Sequence, residues 1–230
     1  LVGSEMCIRD RVYIGYDVGN KMSDNESYVG NKKLEDWMKS LGLDKHIPSA
    51  YELWKISSYY LKKGDKNKSR LYQNMNHVFH NSSIPATADI GKSINFAYGG
   101  VGLIIHFSSI IDDFATIGSN VTLGGRGGSK IHYLLDDGTI MTVPRIGKYT
   151  YIATGSKILG GVDIGPCSII GANSLVIDHV PPCSIVAGTP AKVIGRITKD
   201  NFKKSQHNLT RFRNLNDAEI LNILEPYYVP

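Results

Sequence analysis

The chain has 230 residues, of which 42% are hydrophobic and 20% are charged, so it is long and apolar enough to bury a core. Its hydrophobic residues are spread along the chain and form no run long enough to predict a membrane span. The formal net charge is +5, and part of it comes from lysine-rich runs at 62–68 and 199–204, which are typical of solvated surfaces. This pattern argues against nucleic-acid binding.

The cysteine pattern indicates a protein of the reducing cytoplasm without a metal site. Cys7, Cys167 and Cys183 match no metal-binding spacing, and their odd number argues against a disulfide framework. The N-terminus lacks the basic and apolar segments of a secretion signal.

The chain is predicted to begin with an extension over 1–30 and a helical region over 31–83. Within the extension, Leu1 to Arg11 resemble translated adapter sequence and show no periodicity or caps. Three helices are predicted after this extension. The first has its apolar residues at Leu34, Trp37, Met38 and Leu41. The second begins at a capping box made by Ser49 and Glu52. The third places Leu71, Met75, Val78 and Phe79 at helical spacing and ends near Asn81, ahead of Pro85.

A repeat of six residues replaces the helical period at Ile84. Its anchors are read at Ile84, Ile90 and Phe96, then after one extra residue at Leu103, Ser109, Ala115 and Val121, and later at Ile146, Ile152, Ile158, Ile164, Ile170 and Val176. Every sixth residue of an extended strand faces the same side, so three hexads can close one coil, and stacked coils bury the anchors in a column. Glycine often follows an anchor, as in Ile146–Gly147, which we interpret as the corner of a coil. An all-β parallel β-helix is therefore predicted over 84–197.

Residues 124–145 interrupt the repeat with two glycine pairs and predict a loop that leaves the coil stack. Long loops on repeat scaffolds often carry binding function. After the coils, a polar tail over 198–230 contains a second capping box, Asn216 with Glu219, which predicts a short C-terminal helix.

These features resemble the left-handed β-helix (hexapeptide-repeat) acyltransferases, and most closely their serine acetyltransferase-like branch. The motifs that carry the resemblance are Val121-Thr122-Leu123-Gly124-Gly125, Pro144-Arg145-Ile146-Gly147, Ile158-Leu159-Gly160, Ile170-Gly171-Ala172 and Ala187-Gly188-Thr189-Pro190-Ala191-Lys192. The resemblance implies an acetyl-CoA-dependent O-acetyltransferase that works as a homotrimer with its active sites between neighbouring β-helices. The implied acceptor is a hydroxyl of serine or of a sugar or glycan.

The resemblance also implies where acetyl-CoA binds. Thr154 and Ala172 match positions whose backbone contacts the cofactor, and Lys192 matches a basic residue near its phosphates. Gly124 and Gly125 are expected beside the thioester, because backbone N–H groups there can stabilise the oxyanion.

The sequence departs from the branch at the catalytic residues. Where the family has an Asp-His pair after an anchor, this chain has Ala97-Tyr98, and Met141 to Pro144 replace the family's Asp-Arg-His-Pro element. A hydroxyl still needs a general base, and histidine is the usual one. His106 in the coils is the first candidate, and His132 in the loop is the second. Tyr98 is expected to orient a histidine or the acceptor, and Asp112 or Asp113 to hold the imidazole.

Two other functions fit the repeat. A catalytically degenerate homologue would act as a binding scaffold, and the loss of the Asp-His pair keeps this alternative open. A trimeric carbonic anhydrase would need three histidines around zinc, and only His106 lies in the coils before the loop, so we reject it.

Overall fold

The structure, a computed structural model, describes residues 47–228 together with residues 36, 39, 40 and 42. The extension over 1–30 and the apolar residues of the first predicted helix, Leu34, Trp37, Met38 and Leu41, lie outside the described residues. Among those described, no helix has the length and apolar character needed to cross a membrane.

Two helices precede the strands, as predicted: α1 spans Ala50–Lys62 and α2 spans Lys66–His80. The capping box of α1 is confirmed, since the Ser49 N–H donates to Glu52 Oε2 at 2.8 Å and the Glu52 N–H donates to Ser49 Oγ at 3.3 Å. Helix α2 ends at Asn81, whose left-handed backbone (φ 50°) caps it.

The buried face of α2 is polar, which the spacing of its apolar residues does not predict. Ser69, Asn76 and His80 are its buried residues, while Val78 is 79% exposed. The Asn76 side chain donates to the Ala50 carbonyl at 3.2 Å, and His80 Nε2 lies 2.7 Å from the Pro48 carbonyl. Hydrogen bonds to the start of α1 therefore orient α2 in place of an apolar stripe.

Short parallel strands form three sheets that the chain visits in turn. Sheet 1 contains β1 (Asp89–Ile90), β4 (Ile110–Ile111), β9 (Arg145–Ile146) and β12 (Asp163–Ile164). Sheet 2 contains β2 (Asn95–Phe96), β5 (Thr116–Ile117), β10 (Tyr151–Ile152), β13 (Ile169–Ile170), β15 (Ser184–Gly188) and the antiparallel β16 (Ala191–Arg196). Sheet 3 contains β3 (Ile104–Ile105), β6 (Thr122–Gly124), β11 (Lys157–Leu159) and β14 (Leu175–Val176).

The registers of these sheets correct the first half of the predicted repeat. Ile111 pairs with Ile90 and Ile146, and Ile105 pairs with Leu123, so the aligned anchors before the loop are Ile105, Ile111, Ile117 and Leu123. The predicted anchors Leu103, Ser109, Ala115 and Val121 are buried too, but each lies two residues earlier. The cause is a 3₁₀ turn at Ala97–Gly100, which separates Phe96 from Ile105 by nine positions instead of six. After the loop, the predicted anchors from Ile146 to Val176 are confirmed.

The corners of the coil are also built differently from the prediction. The left-handed backbone that turns the chain falls three residues after the anchor, at Ser93, Phe114, Tyr149 and Cys167 among others. The glycine directly after an anchor has another role, because a Cβ on Gly147 would lie 2.6 Å from the backbone nitrogen of Pro166 in the next coil. Glycine there permits the close approach of neighbouring coils.

The predicted loop contains an antiparallel hairpin of β7 (Tyr133–Leu134) and β8 (Ile140–Met141). Tyr133 and Val143 are buried, so the segment packs back onto the coil instead of leaving it.

The C-terminal segment forms a second core against the corner between sheets 1 and 2. It contains two short helices, α3 (Phe202–Ser205) and α4 (Asp217–Leu224), and 3₁₀ turns at Thr210–Asn214 and Glu225–Tyr227. Phe212, Ile220 and Leu224 are fully buried beside Cys167 and Cys183 of that corner. The capping box of Asn216 and Glu219 is confirmed at the start of α4.

Ile158→Asp should unfold the protein. The Ile158 side chain is fully buried in the anchor column, and a carboxylate without a partner there costs several kcal/mol, about 4 or more. The matched control is Lys157→Asp on the same strand, whose exposed side chain faces outward, so its cost should be about 1 kcal/mol or less. Urea unfolding measures both, and equal losses would contradict the register.

Candidate functional site

The predicted site residues lie at two corners of the coil, at opposite ends of sheet 3. Corner 2/3, where the chain passes from sheet 2 to sheet 3, carries Tyr98, Thr154 and Ala172. Corner 3/1, where it passes from sheet 3 to sheet 1, carries His106, followed one coil later by Gly124, Gly125 and the loop. One chain therefore does not bring all predicted site residues together.

Corner 3/1 holds an open cavity of about 540 Å³ between the coil and the loop. Residues 106–108 line it from the coil, and residues 125–127 and 140–143 line it from the loop. His106 and Gly125 therefore share one cavity, while Gly124 is held in β6 by pairing with Leu159. Neither His132 nor Tyr98 is part of the lining.

His106 is half-buried and held by two local contacts. The Ser108 N–H donates to His106 Nδ1 at 3.2 Å, and the ring centroids of His106 and Phe107 are 4.2 Å apart. While Nδ1 accepts this bond, a neutral imidazole carries its proton on Nε2. In this arrangement His106 presents a donor, and a base role requires the Ser108 bond to be released.

His132 has the opposite hydrogen-bonding pattern but lies outside the cavity. Its Nδ1 is 3.0 Å from the Lys130 carbonyl, an acceptor only, so Nδ1 carries the proton and Nε2 keeps a free lone pair. The side chain is exposed. His132 thus has the tautomer of a base, and His106 has the better location.

Corner 2/3 presents an exposed row of residues from successive coils. Thr154 Oγ1 lies 3.3 Å from Ser119 Oγ in the coil before, and the Thr154 carbonyl accepts from the Asn173 N–H in the coil after at 2.9 Å. Ala172 is exposed beside Asn173. Tyr98 begins this row and is 77% exposed, with left-handed backbone (φ 55°).

Lys192 lies beyond both corners, on β16 of the hairpin that ends sheet 2. It pairs with Ala187, and its exposed side chain lines a small cavity of about 130 Å³ with Asp178 and His179.

The two aspartates expected to orient a histidine contact other residues within this chain. Asp112 accepts a hydrogen bond from Arg145 at 3.0 Å, and Asp113 accepts from the Lys92 N–H at 2.7 Å. The charged pair of Asp112 and Arg145 lies on the outer face of sheet 1.

Asp163 and Tyr133 adjoin this pair under the loop. Burial raises the pKa of Asp163, although the nearby Arg145 opposes the shift. Burial and the carboxylate of Asp163 raise the pKa of Tyr133 to about 12, and the Tyr133 hydroxyl is buried without a hydrogen-bond partner among the described residues. Asp112, Arg145, Asp163 and Tyr133 thus form a polar cluster over which the loop packs.

Sequence reasoning did not find two parts of the cavity, Arg126 and the wall formed by residues 140–143. Arg126 stands between two glycines in a stretch predicted to be a loop that leaves the coil stack, so its place in the cavity depends on how the hairpin folds back. The available signal was its position directly after the Gly124-Gly125 motif.

No family model matches the chain, but individual proteins do. Serine acetyltransferase of Haemophilus influenzae is 30% identical over 219 residues, which cover 86% of this chain and 76% of that protein. The chain belongs to the serine acetyltransferase family. Further relatives in this family are the serine acetyltransferases of Mycobacterium tuberculosis, 31% identical over 65% of this chain, and of Escherichia coli, 29% identical over 73%. The chain spans 62% and 57% of the length of these two.

Solved structures of the family agree with the fold. A serine acetyltransferase in complex with CoA is 29% identical, with a TM-score of 0.54 over 63% of this chain and 55% of that one. A complex with cysteine is 28% identical, with a TM-score of 0.56 over 70% of this chain and 58% of that one. The Neisseria gonorrhoeae serine acetyltransferase is 27% identical, with a TM-score of 0.57 over 73% and 59%.

Asp163→Asn should raise the melting temperature at pH 7. Burial raises the pKa of Asp163, so the ionised carboxylate destabilises the folded protein. The contribution of Asp163 to stability is fully present below the ordinary carboxyl pKa, and it is lost as the pH rises through the higher pKa of the folded state. The gain from the substitution should therefore vanish below about pH 4. Asp89→Asn, an exposed carboxylate on sheet 1, controls for the charge change. A lower melting temperature for Asp163→Asn at pH 7 would show that attraction to Arg145 outweighs burial.

Proposed function

We propose that this chain catalyses the acetyl-CoA-dependent O-acetylation of a hydroxyl acceptor, with serine as the first acceptor to test and a sugar or glycan hydroxyl as the second. The observation that carries the proposal is the similarity to a serine acetyltransferase over 86% of this chain. It favours an enzyme over a binding scaffold, because the relatives and structural neighbours are named as enzymes and one was solved with CoA.

The finer features of the fold belong to the same proposal. We infer that the three parallel sheets over 84–197 wind as a left-handed β-helix, the fold implied by the family, with the helical region over 31–83 before it and the tail over 198–230 after it. A cytoplasmic location is supported by Cys167 and Cys183, which are both free thiols.

The separation of the two corners supports a homotrimer with shared active sites, the assembly that the family resemblance implies. Corner 2/3 carries the cofactor residues Thr154 and Ala172, and corner 3/1 carries His106 and the cavity. A second copy whose corner 2/3 faces corner 3/1 would complete each site. Exposed apolar side chains support such a contact, because Ile104 on β3, Val101 in the turn before it and Phe107 in the corner after it are all exposed.

The cofactor would lie in the groove between two copies. Thr154 and Ala172 are exposed at corner 2/3, where a long, thin ligand could lie along the row, and Lys192 would supply a point charge for a phosphate at its end. Gly125 lines the cavity with open space where a side chain would be. Its N–H, with that of Gly124 as the alternative, would donate to the oxyanion of the thioester.

The reaction transfers one acetyl group and moves one proton. The acceptor oxygen attacks the thioester carbonyl, the base takes the hydroxyl proton, and the C–S bond breaks to release CoA, whose sulfur takes a proton back. We assign His106 as the base because it lines the cavity. Acceptor binding must then displace the 3.2 Å bond from Ser108 so that Nε2 can receive the proton. Tyr98 of the neighbouring copy would orient the acceptor.

His106→Ala should lower kcat by about 10²-fold or more while the Kd for acetyl-CoA changes only a few-fold, because a base acts on the acceptor proton. CoA release measures turnover, and calorimetry measures the Kd. His132→Ala is the matched variant: if His132 only grips the acceptor, its loss should raise the acceptor KM with kcat nearly intact.

A collapse of kcat in His132→Ala alone would move the base to the loop. Wild-type turnover in both variants and in the double variant would exclude a histidine base. No turnover of acetyl-CoA by the wild-type protein with either acceptor class would reject the transferase in favour of a scaffold.

Light scattering should give three times the chain mass of 25.3 kDa for the wild-type protein. Ile104→Asp should dissociate the trimer, because it places a charge on the apolar surface along β3. The control is Ile194→Asp, which changes another exposed isoleucine, on β16, away from the two corners. A fully active monomer would reject the shared site.

A further inference from the structure

Two cysteines lie one above the other at the corner between sheets 1 and 2. Ile164 pairs with Val180 in the next coil, and Cys167 and Cys183 each lie three residues after these partners. The Cys183 N–H donates to the Pro166 carbonyl at 2.9 Å, and both cysteines have left-handed backbone (φ 58° and 54°). Their Cα atoms are therefore separated by the spacing of neighbouring strands, about 4.8 Å, which a disulfide can span.

The two thiols are buried and in contact with each other. Cys167 is 0% exposed and Cys183 is 4% exposed, and both are free thiols. The Cys167 S–H donates to the Cys183 sulfur. Neither thiol lines the cavity at corner 3/1, and the proposed acetyl transfer uses neither of them.

This contact makes the two thiols chemically unequal. The hydrogen bond from Cys167 and the positive charge of Arg196 lower the pKa of the Cys183 thiol, although burial opposes the shift. The same hydrogen bond, together with burial, raises the pKa of Cys167. In thiol oxidation a thiolate is the nucleophile, and a second thiol beside it resolves the product. Cys183 thus has the properties of the attacking thiol, and Cys167 has those of the resolving thiol.

The C-terminal segment covers the pair by apolar packing. Four of its buried residues share a core with the two cysteines: Leu209, Phe212, Ile220 and Leu224. Asn201 donates to the Arg196 carbonyl at 2.9 Å, and Arg211 donates to the Ser93 carbonyl. No other hydrogen bond joins residues 198–228 to the coil among the residues that the structure describes. The segment can therefore detach while the parallel strands of the coil stay paired.

We propose that Cys167 and Cys183 form a redox modification site, at which a peroxide converts the two thiols into a disulfide between successive coils while the C-terminal segment is detached. The site does not depend on the proposed O-acetyltransferase function. A pair that rests as thiols and closes on exposure to an oxidant is the form that disulfides usually take in a reducing cytoplasm.

The oxidation takes two steps. The Cys183 thiolate attacks an oxygen of hydrogen peroxide, the O–O bond breaks, and a sulfenic acid and hydroxide form. The Cys167 sulfur then attacks the Cys183 sulfur, the S–O bond breaks, and the Cys167 proton leaves with the hydroxide as water. The hydroxide of the first step takes up the proton that Cys183 released. Two thiols and one peroxide thus give one disulfide and two waters.

Mass spectrometry of the peroxide-treated wild-type protein tests the site. The sequence has three cysteines, so alkylation of the reduced and denatured chain labels three thiols. After peroxide treatment of the folded protein, only Cys7 should be labelled, and peptide mapping should find Cys167 joined to Cys183 in a chain lighter by two hydrogen atoms. Dithiothreitol should restore all three thiols, and Cys7→Ser should form the same disulfide. Three labelled thiols after peroxide, a disulfide that includes Cys7, or sulfinic acid at either corner cysteine would overturn the proposal.

Two single variants test which thiol attacks. Cys167→Ser should stop at a sulfenic acid on Cys183, which dimedone captures, because the resolving thiol is missing. Cys183→Ser should leave Cys167 unmodified at the same peroxide dose. The opposite pattern would overturn the assignment of the attacking thiol. The wild-type peptide map needs neither variant to fold.

A change in the covering segment tests the need for its detachment. Phe212 is fully buried in the segment, and Phe212→Ala should speed disulfide formation by about tenfold or more, because the cavity left behind raises the population of the detached segment. Asn222→Ala, an exposed change on α4, should react at the wild-type rate. An unchanged rate in Phe212→Ala would overturn the role given to the segment.

Discussion

The stacking of inward-facing anchor side chains in register is the interaction on which the rest of the structure depends. Ile90, Ile111, Ile146 and Ile164 follow one another across sheet 1, and equivalent rows run through the other two sheets. Each row is fixed by backbone pairing at the spacing of parallel strands, about 4.8 Å. Slipping a coil by one residue would turn its anchors outward. The same register fixes the positions of the corners that carry the candidate site.

The geometry of the corners explains how a coil without a deep cleft can provide an active site. Each corner offers one exposed row of backbone and side chains, and the loop between β6 and β9 adds a wall at corner 3/1. Hydrogen bonding then distinguishes the two histidines: His106 lies in the cavity with Nδ1 occupied, and His132 has a free Nε2 but stands outside. His106 therefore has the location of a base, and His132 has the tautomer of a base. Ligand binding is needed for one histidine to have both.

Local signals in the sequence predicted the elements that depend on local chemistry. The capping boxes at Ser49 and Asn216 and the anchors from Ile146 to Val176 are found as expected, because each depends on neighbours within a few residues. The predicted anchors from Leu103 to Val121 were wrong because residues two apart on a strand face the same side. The predicted positions and the true anchors two residues later are therefore both buried, and both can hold small or large side chains. The polar face of α2, the partners of Asp112 and the position of Arg126 depend on contacts between distant segments, which periodicity does not contain.

Sheet 2 ends differently from the other two sheets. Its last parallel strand, β15, is followed directly by β16, which runs back along it. A row of parallel strands would otherwise offer its final backbone groups to any further strand, including the first coil of another molecule. The reversed strand presents exposed side chains and the wrong direction for continued parallel growth. The hairpin therefore ends sheet 2 with a strand that does not continue its parallel stack, which disfavours the end-to-end growth that an open repeat would allow at this sheet.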